Sequence, residues 1–185
     1  MKNGPLAVPD GDLVIPEINR IQEQFDLVLA TQDWHPPGHK SFASAHPGTE
    51  LLETVFVNGL EQVLWPDHCI QCTEGAQLSR SLDQHRVEAI FRKGTDAEID
   101  SYSGFYDNGH RKSTGLADYL KGRGIDHVFV AGLAADYCVY FTVMDALALG
   151  FHAHLIENAT VPINEAEFQS RKAEILARGG KITHR

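Results

Sequence analysis

Short apolar runs alternate along this chain with longer segments in which apolar positions recur at helical spacing. The apolar runs predict strands at residues 27–31, 87–91, 127–131, 152–156 and 181–183. Helices are predicted at residues 13–25, 114–122, 138–149 and 165–178. Because strands and helices alternate, we expect an α/β domain with a mostly parallel sheet covered by helices. The length of 185 residues suits a single domain that spans residues 1–185.

Chemically versatile side chains follow several of these strands. Asp33, His35 and His39 come after the first strand, Lys93 ends the second, and Cys138 follows the third. Ligands of parallel sheets bind beyond the carboxyl ends of the strands, so these groups are expected to meet at one edge. The segment 42–84 has little periodicity and adds another histidine; a loop of that length is usually functional or disordered.

The net charge of −9 bears on which partners the chain could bind. An acidic chain is a poor match for nucleic acid or an anionic membrane, and a small-molecule substrate fits better. No apolar run approaches the roughly 20 residues of a membrane span, and the N-terminus lacks the apolar core of a signal peptide. A cytoplasmic location is therefore expected.

The three cysteines do not form a disulfide framework, because their number is odd and small for this length. Cys69 and Cys72 form a lone C-x-x-C pair, which we interpret as two unrelated thiols rather than a redox or metal site. Cys138 stands at the start of a predicted helix, with Asp136 as the expected N-cap. A helix N-terminus favours a thiolate and offers N–H groups to an oxyanion, although a buried core cysteine is an equally good interpretation of the position alone.

Lys93 and the histidines each have two interpretations. An ammonium beside a thiolate would lower the pKa of the thiol, whereas a solvated lysine at a strand end is the commoner case. Asp33 and His35 leave the same face of an extended chain, so both can bind one cation, with His68 as a third ligand and His39 as a competing one. This donor set suits zinc, iron or manganese, while a polar loop with scattered histidines is the alternative.

Four separated segments together resemble the nicotinamidase/pyrazinamidase branch of the isochorismatase-like hydrolases, from about Gly4 to about Ala159. The segments are Thr31-Gln32-Asp33-Trp34-His35-Pro36, Leu64-Trp65-Pro66-Asp67-His68-Cys69, Arg92-Lys93-Gly94-Thr95 with Asp100-Ser101-Tyr102-Ser103, and Gly132-Leu133-Ala134-Ala135-Asp136-Tyr137-Cys138. The resemblance implies a three-layer α/β/α fold. It also implies hydrolysis of nicotinamide, or of pyrazinamide-like amides, to the acid and ammonia in NAD salvage.

The resemblance assigns a role to each site residue. Cys138 would be the nucleophile that forms a thioester, Lys93 would stabilise its thiolate, and the N–H groups of Ala134 and Cys138 would form the oxyanion hole, with a cis peptide bond entering Ala134. The metal ligands would be Asp33, His35 and His68, with zinc the expected ion. Trp65 and Tyr102 would flank the substrate ring, and Tyr137 would lie close by as a further substrate-binding residue.

The chain also departs from the family pattern. Ala135 stands where a threonine is usual, and Cys72 replaces a usual glycine. The segment Gly4-Pro5-Leu6-Ala7-Val8-Pro9 matches a family segment that follows the first strand and its catalytic aspartate, so that central strand is expected to be missing from this chain. Replacement of that base by Asp10, Asp12 or Asp136 is not expected, and the chain alone is expected to fold poorly or aggregate.

Three hypotheses therefore stay open at this point. The first is a nicotinamidase whose start is mis-called, which the intact remaining site favours. The second is a truncated, non-catalytic member of the same fold that still binds its ligand. The third is a related amidohydrolase of the superfamily with another small amide substrate. The sequence leaves the oligomeric state undecided, with a homo-oligomer among the options.

Overall fold

The computed structural model describes residues 4–185, which form seven β-strands and four α-helices. The strands are β1 Val28–Asp33, β2 Thr54–Val57, β3 Leu60–Val63, β4 Val87–Lys93, β5 His127–Gly132, β6 His152–Thr160 and β7 Lys181–Thr183. The helices are α1 Val14–Ile21, α2 Leu116–Gly122, α3 Tyr140–Ala148 and α4 Glu165–Ala177. All five predicted strands and all four predicted helices are present, with β6 four residues longer than the apolar run that predicts it.

Parallel pairing joins β1 to β4, and joins β5 to β6 and β6 to β7. The carboxyl end of β4 meets the residues that follow β5, because the side chains of Lys93 and Cys138 are in contact. The two halves therefore point the same way. No strand of residues 4–185 lies between β1 and β5, and a cavity of about 720 Å³ separates them. That a central strand of the family fold is missing from this chain stays a prediction.

Helices cover both faces of the sheet, as the alternation of side chains along the strands requires. In β6, Leu155 packs into the larger core cluster with α2, α3 and α4, whereas its neighbour Ile156 packs against α1 on the opposite face. In β5, Val130 and Phe129 divide between the faces in the same way. The expected three-layer α/β/α architecture is confirmed.

An antiparallel hairpin interrupts the segment that was expected to be irregular. Strands β2 and β3 are joined by Asn58 and Gly59, whose φ angles of 51° and 81° are those of a type I′ turn. The Asn-Gly pair between alternating apolar residues was the available signal, and the prediction of a segment without secondary structure was wrong there. The hairpin leads directly into Trp65, which is buried. None of the helices in residues 4–185 is long and apolar enough to cross a membrane.

Candidate active site and metal centre

Three side chains meet at the carboxyl edge of the sheet, where β1 and β4 end and the chain leaves β5. The Lys93 Nζ atom lies 2.5 Å from Asp33 Oδ1 and 3.4 Å from Cys138 Sγ, and it donates to the Ser101 carbonyl oxygen at 2.8 Å. Lys93 is only 4% exposed, so the solvated lysine of the alternative interpretation is excluded. Burial disfavours its ammonium form, but the anionic groups around it outweigh burial and raise the pKa of Lys93.

Cys138 lies in a π-helical turn, Ala135–Val139, that leads into α3. Burial raises the pKa of the Cys138 thiol to about 11, although the Lys93 ammonium lowers it. The expectation that Asp136 caps this turn was wrong. Its buried carboxylate instead accepts hydrogen bonds from the backbone N–H groups of Ile163 and Asn164 at 2.9 and 2.8 Å, and so ties the turn to the loop before α4.

The peptide bond between Leu133 and Ala134 is cis, as the family resemblance implied. Among the described residues the Ala134 N–H has no hydrogen-bond acceptor, whereas the next N–H, of Ala135, donates to the Val161 carbonyl at 3.0 Å. A free backbone donor one turn before the Cys138 sulfur is what stabilisation of an oxyanion requires.

Among the described residues, no aspartate is hydrogen-bonded to the Cys138 sulfur. The hydrogen bond of the Cys138 sulfur goes to Lys93, not to Asp10, Asp12 or Asp136. Asp136 is fully engaged by two backbone donors, so its carboxylate holds the fold rather than moving a proton.

Two overlapping groups of side chains bring their ligand atoms within 4.8 Å of one another. The first consists of Asp33, His35 and His68, and the second of His35, His39 and Asp100. The structure therefore brings together the three predicted ligands, and it also keeps the competing histidine close by. Hydrogen bonds to the ring nitrogens discriminate between the two groups.

The tautomers of the histidines favour the first group. His35 Nδ1 lies 3.0 Å from the Gly94 carbonyl oxygen, and His68 Nδ1 lies 2.8 Å from the Pro66 carbonyl oxygen. A carbonyl only accepts, so both Nδ1 atoms carry the proton and both Nε2 atoms keep a lone pair for a cation. Burial lowers the pKa of His35, which keeps its ring neutral and able to coordinate.

His39 has the opposite arrangement. Its Nδ1 accepts the backbone N–H of Ser41 at 3.1 Å, so the proton of the neutral ring resides on Nε2. Burial lowers the pKa of His39 and keeps it neutral. The Nε2 atom is buried without a hydrogen-bond partner in residues 4–185, which is the one observation in favour of the second group.

Asp33 is a member of the first candidate metal group and also contacts the Lys93 ammonium. Burial raises its pKa, but the charges of Lys93, His35 and His68 outweigh burial and hold the pKa of Asp33 below its ordinary value. The carboxylate is therefore ionised and able to bind a cation. Its side chain is 24% exposed, which leaves one side of the group open.

Three aromatic rings, including that of Tyr137 directly before Cys138 in the chain, pack edge-on against one another. The Trp65 ring lies edge-on to Tyr137 at 4.9 Å and to Tyr102 at 6.3 Å between centroids, and Trp65 Nε1 donates to the Tyr102 hydroxyl at 3.2 Å. Burial raises the pKa of Tyr102, so its hydroxyl stays protonated. The predicted ring-flanking residues are thus brought together, and Phe141, 5.3 Å from Tyr102, is a further ring that the sequence did not indicate.

Two supporting residues were not singled out from the sequence. Gly94 (φ 61°) lets the backbone pass so close to His35 that a Cβ atom there would lie 2.3 Å from the His35 ring. Asp100 is buried; it accepts the Ser101 N–H at 2.7 Å beside the lysine contact. A glycine directly after a strand-end lysine was the signal available for the first. Cys69 and Cys72 are free thiols, and neither belongs to a candidate metal-ligand group of the described residues.

Comparison with known proteins agrees with this geometry. A family model described as "Isochorismatase domain" matches residues 2–185. The nicotinamidase of Escherichia coli (strain K12) is 47% identical over 165 residues, which cover 87% of this chain and 77% of that protein.

Solved structures give the same result. A nicotinamidase/pyrazinamidase structure from Acinetobacter baumanii superposes with a TM-score of 0.97 at 42% identity, covering 100% of this chain and 89% of the other. The zinc complex of the pyrazinamidase of Pyrococcus horikoshii superposes with a TM-score of 0.81 at 33% identity, covering 100% and 92%.

Proposed function

This chain belongs to the isochorismatase domain family, and we propose that it hydrolyses nicotinamide to nicotinate and ammonia through a thioester on Cys138. The observation that carries the proposal is the contact of Lys93 with Cys138 at 3.4 Å, directly beside the group of Asp33, His35 and His68. The 47% identity to a bacterial nicotinamidase supports the choice of substrate.

The reaction would begin when the Cys138 sulfur, as thiolate, attacks the carboxamide carbon. Lys93 favours the thiolate by its charge, and the N–H groups of Ala134 and Cys138 would hold the oxygen that becomes negative. The C–N bond then breaks, the nitrogen takes up the proton that the Cys138 thiol gave up on forming the thiolate, ammonia leaves, and the thioester remains. Water adds to the thioester, the C–S bond breaks, and the acid and the free thiol are released.

A divalent metal ion fits the donor set of Asp33, His35 and His68, because one carboxylate and two Nε2 lone pairs converge there. The ion would bind the ring nitrogen of the substrate and hold the ring in place. Zinc is our first choice, since a relative of known structure binds it, and iron and manganese accept the same donors. Trp65, Tyr102 and Tyr137 would flank the ring and exclude water.

The test is ammonia release from nicotinamide by the zinc-loaded protein, with pyrazinamide as a second substrate. Cys138→Ala should abolish release, whereas Cys72→Ala, at an exposed thiol, should leave the rate unchanged. Mass spectrometry of a quenched reaction should show the acyl adduct on the peptide that contains Cys138. Zinc binding without any ammonia release from either amide would contradict the proposal.

A second candidate is a member of the same fold that binds the ring but does not turn it over. The observation that favours it is the Cys138 thiol, whose pKa of about 11 and whose single lysine contact leave it protonated at neutral pH. Saturable nicotinamide binding in calorimetry with no ammonia release would establish this candidate. Release of ammonia from a different small amide alone would instead indicate a related amidohydrolase.

The proposal includes three points that extend beyond the site. We infer that residues 1–185 act as one catalytic domain, that the reaction takes place in the cytoplasm, and that it recycles nicotinamide for NAD synthesis. Rescue of growth on nicotinamide in a strain without its own nicotinamidase tests the last point, and cell fractionation tests the second. Light scattering gives the oligomeric state.

A further inference from the structure

Three histidines lie on one face of the sheet at the amino ends of β5 and β6, at the edge opposite the candidate active site. His127 begins β5 and His152 begins β6, and the two are direct partners in the parallel register. His154 stands two residues after His152, so its side chain leaves β6 on the same face. The His127 ring lies 4.5 Å from the His152 ring and 5.5 Å from the His154 ring between centroids. The proposed reaction uses none of these three imidazoles.

We propose that His127, His152 and His154, which we call the imidazole cluster, form a second metal site that binds zinc or another divalent ion with a preference for imidazole. The distance that carries the proposal joins His127 Nδ1 to His154 Nε2 and is 3.3 Å. Two nitrogens that bind one tetrahedral zinc ion at 2.0–2.1 Å are themselves about 3.3 Å apart. One ion can therefore bind both rings where they stand.

His154 is the buried member of the imidazole cluster. It is 6% exposed, and its ring stacks on Phe129 at 4.2 Å between centroids. Its Nδ1 atom is buried without a hydrogen-bond partner among residues 4–185. The ring therefore interacts with other polar groups through Nε2, the atom that faces His127. Burial lowers the pKa of His154, so the ring is neutral and can coordinate a cation.

The other two rings can adjust to an ion. His127 and His152 are both exposed, so their side chains can change rotamer at little cost. A rotation of the His152 ring would supply a third nitrogen, and water would complete the coordination. Two ligands held by adjacent paired strands and a third on the same face form a site on a rigid part of the fold.

Two cationic side chains lower the affinity that we expect. Lys181 of β7 is the register partner of His154, and the guanidinium of Arg185 lies over the Phe129 ring at 4.7 Å. Both residues are exposed, so solvent and salt screen their repulsion of an ion. The imidazole cluster should therefore bind zinc more weakly than the group that contains Asp33. Its ligands are all imidazoles, which suit zinc, copper and nickel, whereas manganese prefers carboxylates.

The test uses the whole 185-residue chain, stripped of metal with a chelator, and zinc alone as the probe. His68→Gln is the background, because it removes one ligand of the other candidate metal group. Calorimetry should then show about one zinc ion per chain, and manganese should bind roughly tenfold more weakly or less. Because the ion would join β5 to β6 in the folded chain only, Tm should rise with zinc concentration.

Substitutions in this background locate the ion. His127→Gln and His154→Gln should each weaken zinc binding by roughly tenfold or more, and His152→Gln should weaken it to a smaller extent. His85→Gln, at a ring 61% exposed and outside the imidazole cluster, is the matched control and should leave zinc binding unchanged. His127 is exposed, so its variant decides the question if His154→Gln does not fold.

Cobalt gives a direct view of the ligands, since it adopts the tetrahedral geometry of zinc and is paramagnetic. We expect it to shift the ring proton resonances of His127 and His154 before those of His85. Shifts that appear first at His85, or an equal loss of zinc affinity in His85→Gln and His127→Gln, would show adventitious binding to surface histidines and overturn the inference. Unchanged zinc affinity in His127→Gln would also overturn it, because the ion would then lie elsewhere, at the free thiols for example.

Discussion

The ammonium of Lys93 lies between two acidic groups, 2.5 Å from the Asp33 carboxylate and 3.4 Å from the Cys138 sulfur. One buried cation thus contacts both the thiol and a carboxylate of the candidate metal group. Burial dominates at the thiol, since the pKa of Cys138 is raised to about 11 in spite of the lysine. The remaining charges that bear on this thiol are those of Asp33 and Asp100, which raise its pKa further.

The reactivity of Cys138 should therefore increase with pH. Below a pKa of about 11 the thiolate fraction grows about tenfold per pH unit, so alkylation by iodoacetamide should accelerate throughout the range from pH 7 to 10. Cys69→Ala and Cys72→Ala in the background leave one thiol to follow by mass spectrometry.

Lys93→Met should slow this alkylation at least tenfold at pH 8, because loss of the cation raises the pKa of the thiol. Lys121→Met, at an exposed lysine of α2, is the matched control and should have no effect. An alkylation rate of Cys138 that is already independent of pH near pH 7 would contradict the predicted increase of its reactivity with pH.

Metal affinity should depend on His35 and His68 and not on His39. The Nε2 atom keeps a lone pair for a cation only in the first two, because carbonyl acceptors hold their Nδ1 protons, whereas Nε2 of His39 carries the proton. After removal of metal with a chelator, we expect His35→Gln and His68→Gln to weaken zinc binding at least 100-fold in a dye-competition titration. His39→Gln should change it less than threefold.

His184→Gln, at a ring 70% exposed, controls for loss of any surface histidine. An equal loss of affinity in His39→Gln and His68→Gln would show that the group of His35, His39 and Asp100 is the metal site instead.

Substitution of Gly94 by alanine should damage the metal site through the position of His35. The new Cβ would lie 2.3 Å from the His35 ring at a φ of 61°. Gly59→Ala is matched for backbone strain, since its φ is 81°, but nothing lies within 4 Å of the added carbon. Both variants should lose about 1–2 kcal/mol of unfolding free energy from the left-handed backbone. Only Gly94→Ala should lose zinc affinity, by tenfold or more, in the same titration.

Loss of the Asp136 carboxylate should destabilise the fold around the thiol. Asp136→Ala leaves the N–H groups of Ile163 and Asn164 without their acceptor, at a cost of about 2–4 kcal/mol. Asp126→Ala, at an exposed position, should change stability by less than about 0.5 kcal/mol. Urea unfolding followed by circular dichroism measures both, and a small effect at Asp136 would show that the contact is unimportant.

Periodicity was sufficient to predict most of the sheet and helices. The strand–helix alternation gave five strands at the correct places because buried parallel strands are continuous apolar runs. The hairpin was missed, since β2 and β3 are short and their alternating pattern is hidden in a segment that is otherwise loop.

The candidate site, like the fold, was predictable from the sequence only in part. Strand ends indicated Asp33, Lys93 and Cys138, because the carboxyl edge of a parallel sheet gathers whatever follows each strand. The roles of Asp136 and Gly94 could not be derived, since both depend on loops brought together by the tertiary fold. The expectation that the chain alone folds poorly stays a prediction, which size-exclusion chromatography and thermal melting would test.

The hydrogen bonds of His35 and His68, the two histidines of the candidate metal group, have a further consequence for the assembly of the protein. His35 and its acceptor Gly94 follow β1 and β4, whereas His68 and its acceptor Pro66 lie in the loop after the hairpin. The ion that we propose would therefore act as a removable cross-link that closes a long stretch of chain between the sheet and this loop. Closure of that kind restricts the unfolded chain more than the folded one. Metal binding would then precede amide binding, because the ion would anchor the loop that carries Trp65 before the substrate binds.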